Sequence, residues 1–216
     1  MQLQYTHIFI CGDSTAATYE PQESLHVGWG QLLGLYLPEF TVINRAFPGR
    51  SSKSFRAEGR LDAIAGELTP GDLLLVQFAH NDESDKPERH TEPREDFPEH
   101  LKAYLQVARD HQATPILLTP ICMRIWENGA LQPTHGEYLQ AVRDLARQEN
   151  VPLIEAYEES FRIVSALGEE ASRALFMHLA PGEDPRHPDG LEDNAHTRHA
   201  GAEMIARYIA KEIINI

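Results

Sequence analysis

A chain of 216 residues with 42% hydrophobic content holds enough apolar material for one substantial core, and its length fits a single α/β domain over 1–216 better than two. A formal charge of −14 argues against a nucleic-acid or anionic-membrane binder, because phosphate contacts need a basic surface, and no run reaches the roughly 18 apolar residues of a membrane span. The two cysteines, Cys11 and Cys122, supply no disulfide framework, and the polar Met1–Tyr5 stretch has no leader pattern, so a cytoplasmic protein is expected.

In chain order, short and nearly continuous apolar runs at His7–Gly12, Thr41–Ala46, Leu73–Phe78, Pro115–Thr119 and Pro152–Glu155 read as buried parallel strands. Trp29–Leu37, Leu61–Leu68, Phe97–Gln112, Tyr138–Asn150, Ala156–Leu167 and Arg198–Ile213 carry apolar residues at helical spacing, most plainly Phe97, Leu101, Leu105 and Ala108. The charged, Pro-containing stretches Glu83–Glu99 and Met177–Asn194 follow neither period and read as long loops near the active edge. Strand and helix alternate throughout. This predicts a three-layer α/β/α sandwich around a five-stranded parallel sheet of flavodoxin-like order, with ligands at the carboxyl ends of the strands.

Three polar clusters fall at such ends: Cys11-Gly12-Asp13-Ser14-Thr15, Asn44-Arg45-Ala46-Phe47-Pro48-Gly49-Arg50-Ser51 and Ala79-His80-Asn81-Asp82. In the expected order Ser14, Gly49 and Asn81 converge on one crevice. A serine hydroxyl needs a base, a group to orient the base, and donors for the developing oxyanion. His196 is the candidate base, and Asp193, three residues earlier, can hold its imidazole from the turn before the last helix. The N–H groups of Ser14 and Gly49 with the Asn81 amide are candidates for the oxyanion hole, and a residue without Cβ at position 49 lets the backbone come close to substrate. Asp13 is expected to brace its turn by an Asx-type bond.

Gly12-Asp13-Ser14, the Asn44…Gly49 block, His80-Asn81-Asp82 and Asp193-Asn194-Ala195-His196 resemble the four signature blocks of SGNH hydrolases, in the family's order and over nearly the whole chain. Gly28-Trp29-Gly30-Gln31, Gly49-Arg50-Ser51-Ser52 and Gln77-Phe78-Ala79-His80-Asn81-Asp82 resemble the rhamnogalacturonan acetylesterase branch. The resemblance implies removal of acetyl groups from a pectin-derived oligosaccharide through a serine acyl-enzyme, without metal or other cofactor. Two departures stand out: Ala79 occupies a position where the family usually has Gly, and Arg198-His199 follow the last block in place of a smaller pair. The alternatives are an SGNH acetylesterase acting on xylan, another acetylated sugar or a small acyl ester, and a carbohydrate-binding protein of this fold without turnover.

Other residues have competing readings. His80 reads first as a loop support that can also touch substrate, and Trp126 as a stacking platform or a packed side chain. His178, Asp184, His187, Asp189, Asp193, His196 and His199 are dense, yet lack the tight spacing of a metal site, so no metal is expected. The net charge conflicts with an anionic galacturonate substrate unless local basic surface opposes it. The stretch with Arg45, Arg50, Lys53, Arg56 and Arg60 is the expected source, with Arg50 beside Gly49 the candidate carboxylate binder.

Overall fold

The computed structural model describes residues 7–216; Met1–Tyr5 lie outside the described residues. In chain order the elements are β1 (His7–Gly12), α1 (Trp29–Leu32, continued by a 3-10 turn at Leu33–Tyr36), β2 (Thr41–Asn44), α2 (Ser52–Ala57), α3 (Arg60–Ala65), β3 (Leu73–Gln77), α4 (Asp96–Asp110) and β4 (Thr114–Leu118). There follow β5 (Trp126–Glu127) and β6 (Ala130–Leu131), α5 (Gly136–Glu149), β7 (Leu153–Ile154), α6 (Ala156–Ser172), β8 (Phe176–Leu179), β9 (Leu191–Thr197) and α7 (His199–Ile214).

The parallel sheet has the order β2-β1-β3-β4-β7, which is the flavodoxin-like arrangement with β7 as the fifth strand. Its inner strands β1, β3 and β4 are buried on both faces, so their side chains alternate between two apolar layers rather than between core and water, while edge strand β2 is partly exposed. Phe9, Cys11, Leu74, Val76 and Leu117 meet the layer formed by α2 to α5. Ile8, Ile10, Leu73, Leu75, Ile116 and Leu118 meet α1 and α7 on the other side. Register pairs Ile10 with both Asn44 and Leu75, and Gly12 with Gln77, so the first three strands end close together.

The stretch Met177–Asn194, expected as a loop, is in its outer parts strand. β8 and β9 pair antiparallel, Met177 with Asp193 and Phe176 with Thr197, so Asn194, Ala195 and His196 form a bulge opposite consecutive residues of β8. The pair Asp193/His196 thus sits on a strand outside the parallel sheet, not on a turn before the last helix. A short helix, α2, was also absent from the periodicity. It is fixed by a capping box in which Ser51 Oγ accepts the Ser54 N–H and Ser54 Oγ accepts the Ser51 N–H. Among the described residues no helix is long and apolar enough to cross a membrane.

Candidate active site

Ser14 follows β1 on a turn held from several sides. Asp13 Oδ1 accepts the Thr15 N–H at 2.8 Å and its hydroxyl at 2.7 Å, the Asx-type bond expected of this residue. Asn44, at the end of β2, donates through Nδ2 to Ala16 O at 2.7 Å, and Tyr19 donates its hydroxyl to Ser14 O at 2.9 Å. The Trp29 N–H donates to Thr15 O; a Cβ at neighbouring position 28 would lie 2.3 Å from Ala17 O, so glycine is required there. Trp29 itself is buried, its indole N–H bonded to Gln77 Oε1 at 2.8 Å, which makes it core and anchor rather than sugar platform.

His196 Nε2 lies 2.8 Å from Ser14 Oγ, and His196 Nδ1 lies 2.7 Å from Asp193 Oδ2. An ionised carboxylate only accepts, so Nδ1 carries the proton and Nε2 is free to accept from the Ser14 hydroxyl. Asp193 Oδ1 also accepts the N–H groups of Ala195 and His196, which stiffens the bulge. Burial works to raise the Asp193 carboxyl, but the bonds from His196 and its charge outweigh this and hold it well below the usual carboxylate range. For His196 burial works to lower the pKa, and the bond and charge of Asp193 more than reverse it, leaving the imidazole above its ordinary 6.5. In such a chain the imidazole can take the hydroxyl proton as the oxygen attacks a carbonyl.

Ser14, Gly49, Asn81 and His196 line one open cleft. Gly49 has φ +75, a left-handed conformation that glycine adopts without strain. Among the described residues neither the Ser14 nor the Gly49 N–H has an internal acceptor, and both are therefore available to a ligand. The Asn81 amide donates one N–H to Arg50 O at 3.2 Å and keeps a second.

The expected substrate contacts divide. His80 lines the cleft and packs edge-on against His135 with ring centroids 4.4 Å apart; its Nε2 is buried without a partner, and burial with the nearby His135 and His196 charges holds its pKa well below the usual value. Arg50 does not line the cleft, because its side chain is held elsewhere: it bonds Glu58 at 2.9 Å and Pro48 O at 3.0 Å and lies over the Phe47 ring. The rest of the basic stretch is also engaged, Arg45 with Glu67, Arg60 with Glu58, Arg56 with His100, and Lys53 with the Pro87 and His90 carbonyls. Trp126 lies in β5, packed beside the cluster of Cys122, Leu131 and Tyr157 and away from the cleft lining.

Four cleft residues carry no expectation from the sequence: Tyr19, His26, Arg89 and Met123. His26 stacks on Tyr19 at 5.4 Å and meets the His196 ring edge-on at 5.0 Å. Its one sequence signal is proximity to the Gly28-Trp29-Gly30 block. Among the described residues His26, Asp193 and His196 form the group whose ligand atoms come within 4.8 Å of one another, but those of Asp193 and His196 are already bonded to each other and to Ser14. His178, Asp184, His187, Asp189 and His199 are not drawn into it.

The fold and this geometry are those of an SGNH-type hydrolase. Residues 10–204 match the GDSL-like Lipase/Acylhydrolase family, and the chain belongs to that family, as a carboxylic ester hydrolase. It is 40% identical to the rhamnogalacturonan acetylesterase RhgT of Bacillus subtilis, over 95% of this chain and 88% of that one. It is 42% identical to the probable rhamnogalacturonan acetylesterase YesY of the same organism, over 96% and 92%. The crystal structure of Bacillus subtilis YxiM superposes with a TM-score of 0.82 at 28% identity, covering 98% of this chain and 56% of that one.

Proposed function

We propose that this chain is a cytoplasmic serine acetylesterase that removes O-acetyl groups from pectin-derived rhamnogalacturonan oligosaccharides. The observation that carries the reading is the unbroken bond chain Ser14 Oγ, His196, Asp193 inside a cleft that also offers two unbonded N–H groups. The two relatives at 40% and 42% identity support the acetyl-sugar substrate, and the two buried, unpaired cysteines support a reducing compartment.

In this mechanism Ser14 Oγ attacks the acetyl carbonyl carbon while its proton passes to His196 Nε2, and Asp193 stabilises the imidazolium. The carbonyl oxygen becomes an oxyanion held by the Ser14 and Gly49 N–H groups and the Asn81 amide. Collapse breaks the bond to the sugar oxygen, which takes the proton from His196 and leaves as an alcohol. Water, deprotonated by the same imidazole, then releases acetate and restores Ser14.

Acetate release from acetylated rhamnogalacturonan, acetylated xylan and a chromogenic aryl acetate, measured side by side, tests the substrate. Preference for rhamnogalacturonan is expected, and faster release from xylan would transfer the reading to another acetylated sugar. A serine-directed phosphonate should label Ser14, and Ser14→Ala should lose turnover on all three; a label elsewhere, or a normal rate in the variant, would remove Ser14 as nucleophile.

A further inference from the structure

The cleft lining contains no carboxylate, and Arg89 is the residue in it that carries a fixed charge. Among the described residues Arg89 has no ion-pair partner; its one side-chain bond is a long 3.5 Å contact from Nη1 to Asn81 Oδ1. The basic side chains from Arg45 to Arg60, by contrast, are taken up by Glu67, Glu58, His100 and backbone carbonyls. An unpaired guanidinium facing a cleft, in a chain of net charge −14, offers a planar donor fork to an anion.

Its position is set by the loop that bears it. The Arg89 N–H bonds Lys86 O at 2.9 Å, and the Thr91 N–H bonds Asp82 O at 3.1 Å. The buried Asp82 carboxylate ties the same loop to α2 by accepting from Ser52 and from the Thr91 hydroxyl, while Lys53 bonds the carbonyls of Pro87 and His90. An ideal Cβ on Gly49 would lie 3.4 Å from Arg89 Nη2, so the guanidinium stands directly beside the backbone that is proposed to hold the oxyanion.

We infer that Arg89 forms a carboxylate subsite, which binds the uronate group of an acetylated acidic sugar while its ester lies on Ser14. This rests on the rhamnogalacturonan reading above, whose substrate is already acidic, and adds the residue that holds its uronate carboxylate. An unpaired cation in the cleft also lessens the conflict between an acidic protein and an anionic substrate, since it opposes the net charge locally.

The test compares an acetylated galacturonate-containing oligosaccharide with its carboxyl methyl ester, in wild type, Arg89→Gln and Arg89→Lys. Wild type should favour the free acid by roughly 10- to 100-fold in kcat/KM, mainly through KM, the range expected for a charge-assisted pair. Arg89→Gln should bring that ratio close to one, with Arg89→Lys between, because lysine keeps the charge and loses the fork. The ratio is insensitive to a general loss of folding or turnover. A wild type that does not prefer the acid, or an unchanged ratio in Arg89→Gln, overturns the subsite. If neither oligosaccharide releases acetate while an aryl acetate is hydrolysed, the sugar reading fails, and inhibition of aryl acetate hydrolysis by unacetylated digalacturonate then decides the subsite. A rise of about tenfold in the inhibition constant for Arg89→Gln upholds it, and no rise overturns it.

Discussion

Asp193 grips His196 twice, accepting its backbone N–H at 3.0 Å through one carboxylate oxygen and its ring N–H at 2.7 Å through the other. The proposed base is therefore oriented, and its pKa raised, by the same group. Because a base works only when neutral, kcat/KM on an aryl acetate should fall as pH drops through the His196 pKa, which Asp193 holds above 6.5. The acid limb is expected to centre above that value. In Asp193→Asn the limb should move to lower pH, as burial then prevails, with kcat down roughly 10⁴-fold. An acid limb centred below 6.5 in wild type would contradict this account of the pair.

His196→Ala should lower kcat at least as far as Asp193→Asn, by roughly 10⁴–10⁶-fold, because the carboxylate acts only through the imidazole. Asn81→Ala should lower kcat by roughly 10²–10³-fold, as expected for loss of one oxyanion donor, with KM little changed. Steady-state kinetics on the aryl acetate separate the two parameters; an effect confined to KM would take Asn81 out of the oxyanion hole.

Ala79 is buried and has φ +155, a backbone region that side chains rarely adopt. Such strain costs about 1–3 kcal/mol, against about 0.4–1 kcal/mol of extra unfolded-state entropy for glycine. Ala79→Gly should therefore stabilise the fold by about 0.5–2 kcal/mol in urea denaturation. A destabilised variant would show that the alanine methyl packs well enough to offset the strain.

Asp82 is buried, and burial pushes its carboxyl up to about 7 despite bonds from Ser52 and Thr91. A folded pKa above the ordinary 3.8 means stability is greatest while the group is protonated in both states, and is lost as pH rises from about 4 towards 7. Wild type should lose up to about 4 kcal/mol relative to Asp82→Asn across that window. Paired urea titrations at the two ends measure it, and a constant difference between the proteins would refute the raised carboxyl.

The parallel sheet was legible because strands covered on both faces write themselves as apolar runs, and the motif blocks were legible because turns at their ends need particular residues. β9 was not. Leu191-Glu192-Asp193-Asn194-Ala195-His196-Thr197 has no apolar alternation, since only its pairing with β8 makes it a strand and its bulge exists to aim polar side chains. α2 is too short to show a period and is set by serine caps. Arg50 illustrates a further limit: adjacency to Gly49 in sequence gave adjacency of backbone, while the side chain turned to Glu58. Arg89, in a charged loop of neither period, carries no signal apart from the fold that brings it to Asn81.

The bulged β8–β9 hairpin means that the site is drawn from two different sheets. The proposed nucleophile and oxyanion donors hang from three adjoining strands of one sheet, whereas the proposed acid and base arrive on a ribbon bonded to the body by contacts such as Val27 to Thr197 and Arg124 to Asn194. Buried Phe176, Met177 and Leu179 also pack this ribbon into the body, so turnover and ellipticity should fade together on gentle warming rather than in separate steps.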